Sequence, residues 1–332
     1  MTTSLGPDVV EHVIGLTGEL SVRLPAGSVE LRGTDGDAAR IRDLDGQPLE
    51  DRFQIDREPN RLAVRLRDGF HIDFGGLLRG DMRRASARLE VELPHGASVH
   101  VDCASAEIAA SRLRGEQRYR SASGSIRLTA VTGSVNAESV SGEVDIEADG
   151  ELRLAGRSVS GDISLRGGRL PSMVLASTSG DIEIDAVLDG SGPYGIQTVS
   201  GDVEVQAHGG IRVEGKTVTG QITSRAQHRA ESRRGQHHVV VGDGRALLTF
   251  KSISGDLRIS DPTSASGVAV SPAAPEPPAP MAPQPPQPSS PPDGPDAHET
   301  DRLAILRDLE NGAIDVAEAG QRLAALEGES NG

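Results

Sequence analysis

The chain has 332 residues, a formal net charge of −15, no Trp, two Tyr and four Phe. That charge excludes a conventional nucleic-acid surface, which needs a basic stripe to displace counterions. So few aromatics leave Val, Ile, Leu and Ala to build the core. The single cysteine, Cys103, rules out an internal disulfide and is expected to be a buried, inert thiol. The opening text, MTTSLGPDVVEHVIGL, has neither a basic segment nor a sustained apolar run. No stretch approaches the ~18 apolar residues of a membrane span, so a cytoplasmic location is expected, with membrane contact at most peripheral.

Residues 1–103 alternate apolar and polar positions. Leu20, Val22 and Leu24 form one run, Val29 and Leu31 a second, and Leu62, Val64 and Leu66 a third, with turn clusters between them. This period of two predicts an antiparallel β region that caps the repeats C-terminal to it. One irregular stretch interrupts it, RDGFHIDFGGLLRGDMRR at 67–84. Its apolar residues Phe70, Ile72, Phe74, Leu77 and Leu78, with Arg79 beside them, make a candidate interaction loop for a partner or an anionic membrane surface. A flap over the first coil is the structural alternative.

Residues 104–260 repeat one phrase: SVSGEVDI, SVSGDISL, STSGDIEI, TVSGDVEV and SISGDLRI. The glycine recurs at 124, 133, 142, 161, 180, 201, 220 and 255, in steps of 9, 9, 19, 19, 21, 19 and 35. A period near 19 means stacked supersecondary units, and Gly133 marks a half-turn within one of them. With Gly as position zero, −2, +2 and +4 are apolar (Val159, Ile163 and Leu165) and −3, −1, +1 and +3 are polar. Strict alternation predicts that the first set faces the core. The expected fold is all-β, a β-solenoid of ~19-residue coils spaced about 4.8 Å apart. The step of 35 contains VVVGDGRALLTF at 239–250, which reads as a hairpin closing the open end of the stack.

Residues 261–299 hold thirteen of the 20 prolines and form a disordered, extended spacer. Residues 300–332 read as two short helices, the first with Leu303, Leu306 and Leu309 and the second with Leu323 and Leu326. Two helices this short cannot make a core alone, so these leucines are the expected docking face for a second copy or another surface.

These features resemble a bacterial adhesin-like family, a domain of unknown function with a β-solenoid fold. The resemblance rests on the serial SGD phrases, on the opening LSVRLPAGSVELRGTDGD and on the closing VVGDGRALLTFKSISGDLRI, and covers roughly residues 15–260. The tail ILRDLENGAIDVAEAGQRLAAL is similar to the short helical hairpins called SHOCT modules. Membership implies the fold and an adhesin label, with no catalytic residues to carry over.

The recurring polar residues are the candidates for chemistry. Glu143, Asp162, Asp181 and Asp202 at +1 form an acidic column, either a string of cation sites or carboxylates held by local hydrogen bonds. The tandem calcium phrase GGxGxD is absent, which favours the second. Ser141, Ser160, Ser179, Ser200 and Thr219 at −1 lack a nucleophile elbow and a recurring histidine. His237 and His238 are adjacent on a strand and point to opposite faces, a poor joint metal site. Tyr119, Tyr194 and Phe250 are the only aromatics in the repeat on which a sugar could stack. The expectation is a non-enzymatic scaffold with no cofactor and no metal, self-associating or docking through its tail. An envelope-stress sensor at the membrane surface is the runner-up, and a polysaccharide-active enzyme is the third reading.

Overall fold

A computed structural model describes residues 6–67, 86–190, 192–225, 228–233 and 236–260. The described residues form 22 strands and one short helix, Leu49–Arg52. No helix among them is long and apolar enough to cross a membrane. The expected solenoid is present. Each coil runs up one sheet, turns at the repeated glycine, runs down a second sheet and turns back, so two parallel sheets face each other. The strands before the glycine corner form the back sheet, and those after it the front sheet.

The parallel ladders arise from the phrase itself. In the front sheet Ile126, Val144, Ile163, Ile182, Val203 and Leu257 lie side by side on successive tiers. In the back sheet Tyr119, Ala137 and Gly156 do the same. A strand buried on its inner face and paired on both edges needs an apolar residue at every second position, and the repeat supplies one at +2 and +4. The inner residues form one continuous core between the sheets, including Leu128, Val135, Ile146, Leu165, Leu175, Ile184 and Ile196. Three strands, Ile126–Ser139, Val144–Arg157 and Ile163–Ala176, pass through the second corner without a break. Gly133 sits at that corner with φ +86°, half a coil from the glycine column, as the nine-residue steps predict.

The N-terminal region contains the expected antiparallel pairs. Val9–Val13 pairs with Ala38–Asp43, Ala38–Asp43 with Ser86–Pro94, and Phe53–Glu58 with Arg61–Leu66. It also contains three full parallel tiers. Glu19–Leu24 lies between Arg61–Leu66 and Ser98–Cys103, and Ala26–Thr34 lies between Ser86–Pro94 and Glu107–Ser111. Parallel pairing therefore runs directly across residue 103. The first tier in sequence is the second in space.

The C-terminal end repeats this exchange. The last tier in sequence, Ala246–Lys251 with Leu257–Ser260, is inserted between Tyr194–Gln197 with Val203–Ala207 on one side and Ile211–Lys216 with Ile222–Ser224 on the other. This corrects the hairpin expected across VVVGDGRALLTF. Gln236–Val241 and Ala246–Lys251 flank Ile211–Lys216 and do not pair with each other. The antiparallel strands Gln236–Val241 and His228–Arg233 then close the back sheet. An antiparallel strand covers a parallel edge without inviting another tier.

Candidate functional site

The repeated corner is where the sequence concentrates its polar residues, and its geometry corrects the simple alternation. The residue at −2 faces solvent: Val159 is 42% exposed and Val218 76%, with Val140, Val199 and Ile253 alike in kind. The residue at −3 is buried instead, as Ser139, Ser158, Ser177, Thr198 and Ser252 show. The chain leaves the strand pleat at the corner, so two successive side chains point outward and the phase shifts by one. A hydroxyl at −3 can cap the turn, which a valine cannot. The Gly201 N–H donates to Thr198 Oγ1 at 3.0 Å, Gly220 to Thr217 Oγ1 at 2.9 Å and Gly255 to Ser252 Oγ at 2.7 Å. In the Gly142 corner Ser139 Oγ instead donates to the Gly142 carbonyl at 2.7 Å.

The glycine column answers to close approach between tiers. None of Gly124, Gly142, Gly161, Gly180, Gly201, Gly220 and Gly255 has positive φ. A Cβ at Gly161 would lie 2.7 Å from the Gly142 carbonyl carbon and closer still to its oxygen. The same clash recurs at Gly180 on Gly161, Gly201 on Gly180, Gly255 on Gly201 and Gly220 on Gly255.

Both outward ladders bind tier to tier. At −1, Ser179 Oγ donates to the Val159 carbonyl at 3.2 Å, Ser200 Oγ to Thr178 at 3.3 Å and Ser254 Oγ to Val199 at 3.2 Å. At +1, one oxygen of each of four aspartates accepts the backbone N–H of the residue on the next tier. Asp162 Oδ1 takes the Asp181 N–H at 2.8 Å, Asp181 takes Asp202 at 2.8 Å, Asp202 takes Asp256 at 3.0 Å and Asp256 takes Gln221 at 2.8 Å. A carboxylate thus replaces the carbonyl that the bent backbone cannot offer. Arg258 adds a cation, with Nη1 2.9 Å from Asp202 Oδ2 and Nη2 3.4 Å from Asp256 Oδ2. The hydrogen-bonded Asp202 carboxylate holds the Arg258 guanidinium above its usual range. Among the described residues no group of three or more His, Cys, Asp or Glu is placed to hold a metal ion.

The other candidates separate. Tyr119, Tyr194 and Phe250 are all buried, so none offers a face to a sugar. Tyr119 donates to Gln117 Oε1 at 3.1 Å inside the core, and Tyr194 donates to the Leu170 carbonyl at 2.8 Å while accepting the Gly190 N–H at 3.0 Å. Burial pushes both phenols above their ordinary range. His238 is exposed and His237 half-buried. The loop residues Phe70, Ile72, Phe74, Leu77, Leu78 and Arg79 lie outside the described residues, as do the tail leucines 303, 306, 309, 323 and 326.

Cys103 is buried, and desolvation pushes its thiol up to about 12. A thiolate is therefore scarce in the folded chain at neutral pH. A thiol-reactive dye is expected to leave the native protein unlabelled and to titrate one thiol after denaturation. Above pH ~9 the unfolded chain releases a proton that the folded chain keeps, so this group's contribution to stability falls from there to about 12.

The family model described as Toastrack DUF4097 matches residues 19–260, from the first strand of the stack to its last. No curated protein matches the chain. Several solved structures are distantly similar, each over 76% of this chain and 95% of its own. A candidate adhesin from Bacteroides fragilis is 13% identical with a TM-score of 0.37, and one from Parabacteroides merdae is 11% identical with 0.38. A candidate lipid-binding protein from Parabacteroides distasonis is 14% identical with 0.36.

Proposed function

The chain belongs to the Toastrack DUF4097 family, and from that premise we propose that it works as a non-enzymatic, adhesin-like interaction scaffold inside the cell. The observation that carries this reading is the commitment of the corner. The −1 hydroxyls and +1 carboxylates, the most repeated polar groups in the chain, hydrogen-bond the neighbouring tier. Groups held in this way brace the stack, and what it offers a partner is a long, acidic, regularly spaced surface. In this reading the Pro-rich 261–299 is a spacer and the tail at 300–332 docks or self-associates through Leu303, Leu306, Leu309, Leu323 and Leu326.

Deleting residues 300–332 tests the tail. Light scattering is expected to show a multimer for the full chain and a monomer for the truncated one. Equal masses per chain in the two samples would end the self-association reading.

A further inference from the structure

The second corner carries a cleft that the repeated phrase does not explain. Three successive tiers meet there, at residues 112–114, 130–133 and 149–153. The middle tier is small where its neighbours are large. Ala130, Thr132 and Gly133 line the middle tier, Arg112 and Arg114 the tier on one side, and Asp149, Glu151 and Arg153 the tier on the other. The cleft is open to solvent and has a volume of about 600 Å³. Gly133 cannot grow, because a Cβ there would overlap the Arg114 carbonyl. The tiers are locked in register by the Thr132 N–H on the Leu113 carbonyl at 3.0 Å and by Gly133 opposite Leu152. His95 also lines the space, and His95 Nδ1 donates to the Arg112 carbonyl at 2.6 Å.

The walls carry opposite charges that do not meet. On the sheet faces, arginines and acids on adjacent tiers do pair: Arg120 with Glu138 at 3.2 Å, Arg166 with Glu183 at 3.3 Å and Arg127 with Asp145 at 3.8 Å. Across the cleft the charges are two tiers apart, roughly 10 Å between strands. Among the described residues Arg112, Arg114, Asp149 and Glu151 form no ion pair. The corner is also strained. Arg112 (φ 56°) and Ala130 (φ 53°) are the only described non-glycine residues with positive φ, and both line the cleft. Such backbone strain clusters at ligand clamps.

These charges select a ligand class. Arg153 adds a third cation on the tier of Asp149 and Glu151, so the lining carries both signs: a simple anion would be drawn to the arginines and repelled by Asp149 and Glu151, and a simple cation would meet the reverse. We propose that the cleft binds a zwitterion, its carboxylate or phosphate on Arg112 and Arg114 and its ammonium on Asp149 and Glu151. The described residues that line the cleft all lie between His95 and Arg153, so its test is separate from that of the tail.

Calorimetry on the full chain at low salt, with phosphoethanolamine and dialanine as probes and inorganic phosphate and ethanolamine as single-charge controls, tests it. At least one zwitterion is expected to bind about tenfold or more tighter than either control, and which one binds separates a phosphate-bearing source from a carboxylate-bearing one. Arg112→Gln with Arg114→Gln, and separately Asp149→Asn with Glu151→Gln, are each expected to weaken it roughly tenfold with the melting curve retained. On the unaltered protein, amide shifts at Ala130 and Gly133 are expected to move with the same probe, a reading that needs no variant to fold. Binding by neither zwitterion, either single-charge control binding as tightly as the better zwitterion, or silent Ala130 and Gly133 amides would overturn the assignment.

Discussion

Gly161→Ala is expected to lower the stability of the stack by about 3 kcal/mol, read as a fall in the urea midpoint at unchanged slope. The added methyl has no solvent to enter and no flexible side chain to displace. It meets the backbone carbonyl of Gly142, which the Ser139 hydroxyl holds within its own corner. Relief requires two tiers to separate, which breaks ladder hydrogen bonds on both sides of the corner. Gly195 is the control. It sits in a strand, Tyr194–Gln197, between parallel neighbours, and a Cβ there meets nothing within 4 Å. Gly195→Ala is expected to change the midpoint by less than about 0.5 kcal/mol in equivalent terms. Equal effects at the two positions would mean that glycine is used for chain flexibility and not for contact.

The acidic column gives the second test. Asp181 Oδ1 accepts the Asp202 N–H at 2.8 Å, and the Asp181 N–H donates to Asp162 at 2.8 Å. Asp181→Ala removes the acceptor and leaves the Asp202 N–H without its partner, at a cost of about 1–1.5 kcal/mol. Asp181→Asn keeps an oxygen in place and removes one of a row of like charges. It is expected to stay within about 0.5 kcal/mol of the parent. A column maintained for cations would behave differently: both substitutions would abolish a calcium-dependent rise in melting temperature.

Much of the fold was legible because the repeat states its own geometry. The glycine spacing fixes the tier length, Ile163 and Leu165 identify the inner face, and Gly133 marks the half-turn. Val159 and Ser158 were misplaced by the same rule, since period two holds only while the chain stays in the pleat. A hydroxyl three residues before each corner glycine was the available signal, and its meaning depends on a turn hydrogen bond that alternation does not encode. The tier order was not legible. VVVGDGRALLTF has the local text of a hairpin, and only the prior claim of Ile211–Lys216 on both strands prevents one. The cleft was hidden for a similar reason. Arg112, Ala130 and Asp149 are far apart in sequence and become neighbours only when tiers stack, and their contrast in size matters only then.

The exchanged tiers at the two ends have a consequence for how such a chain is made and how it can change. Because Ala246–Ser260 lies inside Ile211–Ser224, the stack cannot be completed in the order of synthesis: the tier made earlier must wait, or be displaced, until the later one arrives. Each terminus is therefore a clasp, and a duplication that adds a tier at either end would have to rebuild it. A duplicated nineteen-residue unit in the middle, between Gly142 and Gly180, disturbs neither clasp. Length is free to vary at the centre while the ends stay fixed, so relatives of this chain are expected to differ in their number of central tiers and to share both closures.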